Sequence, residues 1–281
     1  MYQSDLLKDR VLVVTGGGSG LGAAMAKRFA SLGATSVILG RRQEKLDEVV
    51  AEIKKSGGKA AGHSCDVRDA GAVSAAADAI AKEHGRIDGL VNNAAGNFLT
   101  AAEDLSPNGF KTVVDIVLNG TFNCTSAFGK KLIAAGKGGS IVNIVTTYAW
   151  TGSAFVLPSA CAKAGVLAMT RSLAVEWAHY NIRVNAIAPG PVPTEPGRGP
   201  TGEPVDGSDL LRRRPRSKRG SPYPPKPCPV RTKDTLRLRR PARGTSRPGR
   251  RRAPRWPAST APGRRWRRPS RRRDRTARRR A

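Results

Sequence analysis

Residues Val11 to Val14 form a short β-branched run that breaks at once into Thr15-Gly-Gly-Gly-Ser-Gly-Leu-Gly22. A helical pattern follows, with Leu21, Met25, Phe29 and Leu32 expected on one buried face. Strand, glycine turn and helix in this order is the opening unit of a dinucleotide fold. Gly16, Gly20 and Gly22 allow the tight turn, the close approach of a pyrophosphate and close helix packing. The free N–H groups at the helix start, beside Ser19 and Leu21, attract phosphate charge. A glycine cluster alone is a flexible turn; its position between a strand and a helix gives it a nucleotide reading.

A second strand, Ser36 to Leu39, ends in Gly40-Arg41-Arg42. An acid near this point would bind the ribose 2'-hydroxyl of NAD, whereas two guanidiniums suit a 2'-phosphate, so NADP(H) is favoured. The alternative is that both arginines are a solvated helix start. A polar helix from about Arg42 to Lys55 leads to a strand over Lys59 to Ser64 and then to Asp66. This acid is placed either to accept a hydrogen bond from adenine or to cap the helix beginning near Asp69. A strand over Ile87 to Val91 ends in Asn92-Asn93-Ala-Ala-Gly-Asn97-Phe98, whose amides and compact side chains suit a flat nicotinamide ring.

Ser106-Pro107 starts a helix expected to run to about Ala134, burying Phe110, Val113, Val114, Val117 and Leu118, with Asn119 inside it. A buried asparagine needs partners, and a loop carbonyl or water serves as well as a catalytic role. The apolar run Ser140 to Val145 delivers Thr146, Thr147 and Tyr148 to its C-terminal end, where parallel sheets bind ligands. Pro158 then opens a helix on which Ser159 and Lys163 share one face. A lysine beside a phenol and an alcohol suits redox chemistry at a carbonyl-like group. A sixth strand, Ile182 to Ala186, precedes Pro189-Gly190-Pro191. The β-α alternation over residues 10 to 190 implies an α/β fold with a right-handed, doubly wound, Rossmann-like parallel sheet.

Charge divides the 281 residues into two unlike parts. Residues 1–195 carry 20 Lys+Arg and 16 Asp+Glu, and residues 196–281 carry 30 and 5. The first part is expected to be the catalytic domain. The second holds 15 of the 20 prolines and six Leu, Ile, Val or Phe residues, too few for a core, so a disordered basic tail is expected. The tail has two readings. With Trp256 and Trp266 interleaved among its arginines, it could hold nucleic acid or another polyanion. Alternatively, and this is the reading we favour, it is the product of a shifted reading frame. Cys65, Cys124, Cys161 and Cys228 lack paired spacing, which argues for reduced thiols and no metal site. No signal peptide or membrane span is evident, and a cytoplasmic setting is expected.

Thr15-Gly-x-x-x-Gly20-x-Gly22, Asp66, Asn92-Asn-Ala-Ala-Gly96, Asn119, Lys163 and Pro189-Gly190 together resemble the short-chain dehydrogenase/reductase family over residues 8 to 195. Most of that family puts a tyrosine four residues before the lysine and a serine thirteen residues before that tyrosine. Here those places hold Ser159 and Thr146. Serine is too weak an acid to replace the phenol in ketone reduction. Tyr148, fifteen residues before Lys163, makes the chain similar to the family's 2,4-dienoyl-CoA reductases. So do Asn97-Phe98, Leu105-Ser-Pro107, Asp115 to Gly120, Pro158 to Gly165 and Ala174 to Trp177.

The resemblance implies NADPH-dependent reduction of an acyl-CoA thioester in the β-oxidation of unsaturated fatty acids. Tyr148 and Asn97 would hold the thioester oxygen. Lys163 would bind the nicotinamide ribose, and Ser159 would relay between Lys163 and Tyr148. Gly16, Ser19, Gly20, Leu21, Gly22, Arg41, Arg42, Asp66, Asn93, Lys163 and Pro189 would hold the cofactor. Relatives continue past Pro189-Gly190 with a substrate lid, a seventh strand and a final helix, and assemble as tetramers. The last strand and helix are expected to be missing here. The alternatives are a reductase of another enoyl or carbonyl substrate and an inactive nucleotide-binding remnant with a polyanion-binding tail.

Overall fold

A computed structural model describes residues 3–190 and Val192. The tail from residue 196, with its expected disorder and the strand and helix expected to be missing, lies outside the described residues, as do Pro191 and Cys228. Six parallel strands form one sheet: β1 (Val11–Thr15), β2 (Thr35–Gly40), β3 (Lys59–Ser64), β4 (Gly89–Asn92), β5 (Gly139–Ile144) and β6 (Ile182–Ile187). Their order across the sheet is β3-β2-β1-β4-β5-β6. The order reverses between β1 and β4, and ligands of such sheets bind at the carboxyl ends of the strands there.

Helices cover both faces, so β1, β2 and β4 are continuous buried runs, whereas the edge strands β3 and β6 carry polar residues and β6 alternates buried and exposed positions. Val13, Val37, Leu90, Ile141 and Val184 face α3 (Ala70–His84) and α5 (Gly120–Ala135), where Val73, Ala77, Ile80, Cys124, Phe128 and Leu132 pack against them. Val14, Ile38 and Val91 face α1 (Gly20–Ser31) and α2 (Gln43–Lys55), meeting Ala23, Ala26, Ala30, Leu46, Val49 and Ile53. Each fully buried Val, Leu or Ile contributes roughly 1.5–3 kcal/mol. α7 (Leu157–Glu176) packs beside β6.

Two helices depart from expectation. In α1 the buried stripe is Gly22, Ala23, Ala26 and Ala30; of the four large residues expected inside, Leu32, at the helix end, is buried, while Leu21, Met25 and Phe29 lie half-buried at the flank. Small residues win because the helix sits almost on the chain: a Cβ at Gly22 would lie 2.2 Å from the Gly16 carbonyl oxygen. The helix expected from Pro107 to Ala134 is two, α4 (Pro107–Val114) and α5, joined by a π-helical stretch, Asp115–Asn119. Ser106 caps α4 by accepting from the Gly109 N–H at 3.0 Å. At the far side of the π-turn, a Cβ on Gly120 would meet Val67 Cγ2 at 2.6 Å, so glycine lets the helix pass close to β3's exit. Asn119 is exposed, not buried, and its amide donates to Asp115 Oδ1 at 2.9 Å. Phe110, Val114 and Leu118 are only half-buried.

Candidate active site

The C-terminal ends of the strands open into one groove with two ends that share Asn93, Ala95 and Gly96. The first end has a volume of about 360 Å³ and is lined by Gly16, Ser19, Arg41, Arg42, Lys45, Asp66 and Asn93. Gly16 and Gly20 have φ of 66° and 54°, the left-handed region that favours glycine. Ser19 stands at the N-cap of α1 and makes no side-chain bond there, leaving the first N–H groups of the helix free of a cap. A glycine cradle, an uncapped helix start and two arginines fit a dinucleotide phosphate chain.

Gly20 and Leu21 border the outer side of the same turn, and Leu21 also reaches the second end of the groove. Gly22 lines neither end; its place is in the packing against Gly16. Asn93 touches the groove, but its amide is engaged, donating to Thr15 O at 3.0 Å and Gly16 O at 3.4 Å. Thr15 Oγ1 answers by accepting from the N–H groups of Asn93 and Ala94, both at 3.0 Å. Together these bonds lock the glycine turn to the loop after β4.

Asp66 lines the groove and does not cap α3. Asp69 is the cap, accepting from Ala72 N at 3.0 Å. The Arg68 guanidinium bonds both oxygens of Asp66 and holds its carboxyl below the usual range, so it is an ionised acceptor.

At the second end, Asn97, Thr146, Tyr148, Ser159, Lys163, Pro189 and Gly190 come together. Tyr148 opens a one-turn helix, α6 (Tyr148–Thr151), and its hydroxyl shares a 3.0 Å hydrogen bond with Ser159 Oγ. Ser159 and Lys163 are both buried on α7. Lys163 Nζ donates to the carbonyl oxygen of Ile144 at the end of β5, engaging one of its three donors. Burial lowers its pKa to about 8 from an ordinary 10.5. No Lys163–Ser159 bond is found among the described residues. Asn97 is exposed at the rim. Cys65 and Cys124 are buried, and desolvation raises Cys124 to about 12, which makes it inert.

The sequence reading missed two features. Beneath the groove, Asn92 Nδ2 donates to Thr125 Oγ1 and Asn143 Oδ1, and Asn143 Nδ2 to Thr170 Oγ1, each at 2.8 Å. This buried chain ties β4 and β5 to α5 and α7. Polar residues inside the apolar strands at Asn92 and Asn143 were the signal, since buried amides demand partners. The second is the state of the Thr146 hydroxyl: the position was singled out in the sequence, but not that its Oγ1 is buried in the groove wall with no hydrogen-bond partner among the described residues.

Comparison with known proteins agrees with this geometry. A family model described as short chain dehydrogenase matches residues 10–199. A probable 2,4-dienoyl-CoA reductase 3, (3E)-enoyl-CoA-producing, from Caenorhabditis elegans is 47% identical over 221 residues, covering 77% of this chain and 72% of that one. A probable (2E)-enoyl-CoA-producing 2,4-dienoyl-CoA reductase from Bacillus subtilis is 49% identical, covering 66% and 74%. A peroxisomal 2,4-dienoyl-CoA reductase from Arabidopsis thaliana is 45% identical, covering 70% and 68%. Among solved structures, a short chain dehydrogenase from Bacillus anthracis superposes with a TM-score of 0.65 at 53% identity, covering 66% of this chain and 78% of that one.

Proposed function

Since the chain belongs to the short-chain dehydrogenase family, whose enzymes are oxidoreductases that take a nicotinamide cofactor, we propose that it reduces 2,4-dienoyl-CoA thioesters with NADPH. The observation that carries this reading is the Tyr148–Ser159 hydrogen bond in the same groove end as Asn97 and Lys163. A phenol placed on α6 instead of α7 serves as a donor to a developing oxyanion. Exposed apolar side chains on the segments that carry Asn97 and Tyr148, namely Phe98, Leu99, Trp150, Phe155 and Leu157, offer a surface for an acyl chain.

Gly16, Ser19, Gly20 and Leu21 hold the phosphates, Arg41 and Arg42 the 2'-phosphate, Asp66 the adenine, and Lys163 the nicotinamide ribose. NADPH, when bound, supplies the hydride. Addition of hydride to the far carbon of the diene moves an electron pair along the conjugated chain to the thioester oxygen. Tyr148 and Asn97 donate hydrogen bonds to that oxygen, and fixed donors of this kind contribute roughly 3–4 kcal/mol each to the transition state. Ser159 orients the Tyr148 hydroxyl, and the Lys163 ammonium adds positive charge nearby. The carbon next to the thioester takes a proton from water, which leaves a 3-enoyl-CoA and hydroxide that solvent neutralises. The step serves unsaturated fatty acid β-oxidation.

The test is loss of NADPH absorbance when the purified full chain meets a 2,4-dienoyl-CoA, with the product identified by NMR. Turnover with NADPH exceeding that with NADH, and a 3-enoyl product, are expected. Reduction of simple ketones but not of the dienoyl thioester would overturn the reading. The unbonded Thr146 hydroxyl favours a second reading, in which it and Tyr148 hold a plain carbonyl. Thr146→Val then abolishes turnover, whereas under the first reading it leaves dienoyl reduction intact. A homotetramer in the cytoplasm completes the proposal, checked by light scattering and by imaging against a peroxisomal marker. Among the described residues no helix is long and apolar enough to cross a membrane.

A further inference from the structure

The chain contains three histidines, and two of them, twenty-one residues apart in sequence, meet at one carboxylate, none of the three residues lining the groove. His63 lies on the edge strand β3, and His84 is the last residue of α3, next to Glu83. His63 Nε2 is 3.6 Å from one Glu83 oxygen and His84 Nε2 is 3.6 Å from the other. Both nitrogens are shielded from solvent and have no hydrogen-bond partner among the described residues. A separation of 3.6 Å is too long for a hydrogen bond. One ligand atom from each of the three residues lies within 4.8 Å of the others, so side-chain rotation brings them to the roughly 3.3–3.4 Å edges of a tetrahedron built on metal–ligand bonds of about 2.0–2.1 Å.

We propose that His63, Glu83 and His84 form a divalent cation site that takes Zn²⁺ and clips the edge strand β3 to the C-terminal end of α3. Two imidazoles and a carboxylate are a borderline donor set that suits zinc, with water as the fourth ligand. Metal coordination satisfies both orphaned nitrogens at once. The site also lies at a helix C-terminus, where the backbone dipole favours positive charge. Gly85, in the left-handed conformation at φ 67°, ends the helix immediately after His84. Glu83 is half-exposed, which leaves an entry path for the ion.

The full chain, free of any histidine tag and stripped with chelator, is titrated with Zn²⁺ by calorimetry and with Co²⁺ by visible spectroscopy. One equivalent is expected to bind, with a tetrahedral Co²⁺ band and a higher melting temperature in Zn²⁺. The double variant His63→Gln/His84→Gln is expected to lose all three. Glu83→Gln, at a half-exposed helix position, keeps the test open if the double variant fails to fold, and is expected to weaken binding. Undiminished binding in these variants, a thiolate-to-Co²⁺ charge-transfer band, or no binding by the native chain would each overturn the proposal. None of these readouts depends on the reductase activity.

Discussion

The two ends of the groove are made of different material. At the glycine end, position is set by backbone and by missing side chains: Gly16 and Gly20 at positive φ, Gly22 against a carbonyl, and Thr15 and Asn93 lacing the turn to β4. At the reacting end, everything depends on side chains from three separate segments: Asn97 on a loop, Tyr148 on one helical turn, Ser159 and Lys163 on α7. A change at the first end should therefore break the frame, and a change at the second should remove chemistry while the frame stands.

The sharpest way to break this contrast is Gly22→Val. Its Cβ would lie 2.2 Å from a backbone oxygen that has nowhere to go, and the expected loss is at least about 3 kcal/mol, enough to leave little folded protein in a chemical melt. A variant that folds normally would show that the frame does not rest on the turn. Tyr148→Phe is the counterpart at the other end. It removes one donor and its bond to Ser159, and turnover is expected to fall about 10²–10³-fold. NADPH affinity and melting temperature should stay near native. Parallel loss of binding would mean that Tyr148 is structural.

Lys163 combines both kinds of material within the second end, since its side chain is anchored to the backbone of Ile144. Its folded pKa, about 8, lies below its ordinary value of 10.5, so the unfolded chain binds more protons between those values and stability rises with pH there. Below about pH 8 the burial cost is present in full. The native chain is expected to gain up to roughly 3 kcal/mol over Lys163→Met as pH increases from 7 to 10, read from urea melts. Over the same window the ammonium is lost, so kcat/KM is expected to decline above about pH 8. Identical pH profiles for the two proteins would assign no burial cost to the lysine.

Arg41 and Arg42 test whether the glycine end also discriminates. Both are exposed side chains lining the groove. Charge-assisted bonds to a 2'-phosphate are worth about 1.5–3 kcal/mol, so Arg41→Ala/Arg42→Ala should reduce the preference for NADPH over NADH by roughly 10–100-fold. NADH kinetics should barely change. An unaltered ratio would return both residues to the status of a solvated helix start.

The same contrast explains what was legible in the sequence. The order of strands and helices could be read because both faces of the central strands are buried, so β1, β2 and β4 are apolar runs, and because the glycine spacing serves a backbone geometry that few turns satisfy. Tyr148, Ser159, Lys163 and Asn97 were singled out by spacing and resemblance, and the fold brings them into one groove end. Non-local partners were not legible. Nothing along the chain reveals that the Lys163 ammonium meets Ile144, that the Asn93 amide is engaged by Thr15 and Gly16, or that Asn119 turns outward at a π-turn. The α1 stripe was misread because bulk suggested burial, whereas close approach selected glycine and alanine.

The smallest expected effect separates the two roles that sequence alone left open for Asp66. Asp69 caps α3 through Ala72 N, remote from any reacting group, so Asp69→Ala should cost about 1 kcal/mol of stability with no change in cofactor affinity. Asp66 faces the groove with its carboxyl held ionised by Arg68, so Asp66→Asn should weaken NADPH binding while leaving α3 capped. Melts and fluorescence titrations of the two variants therefore give opposite patterns. If Asp66→Asn melts lower and binds normally, the acid belongs to the frame, and the glycine end of the groove holds adenine through apolar contact alone.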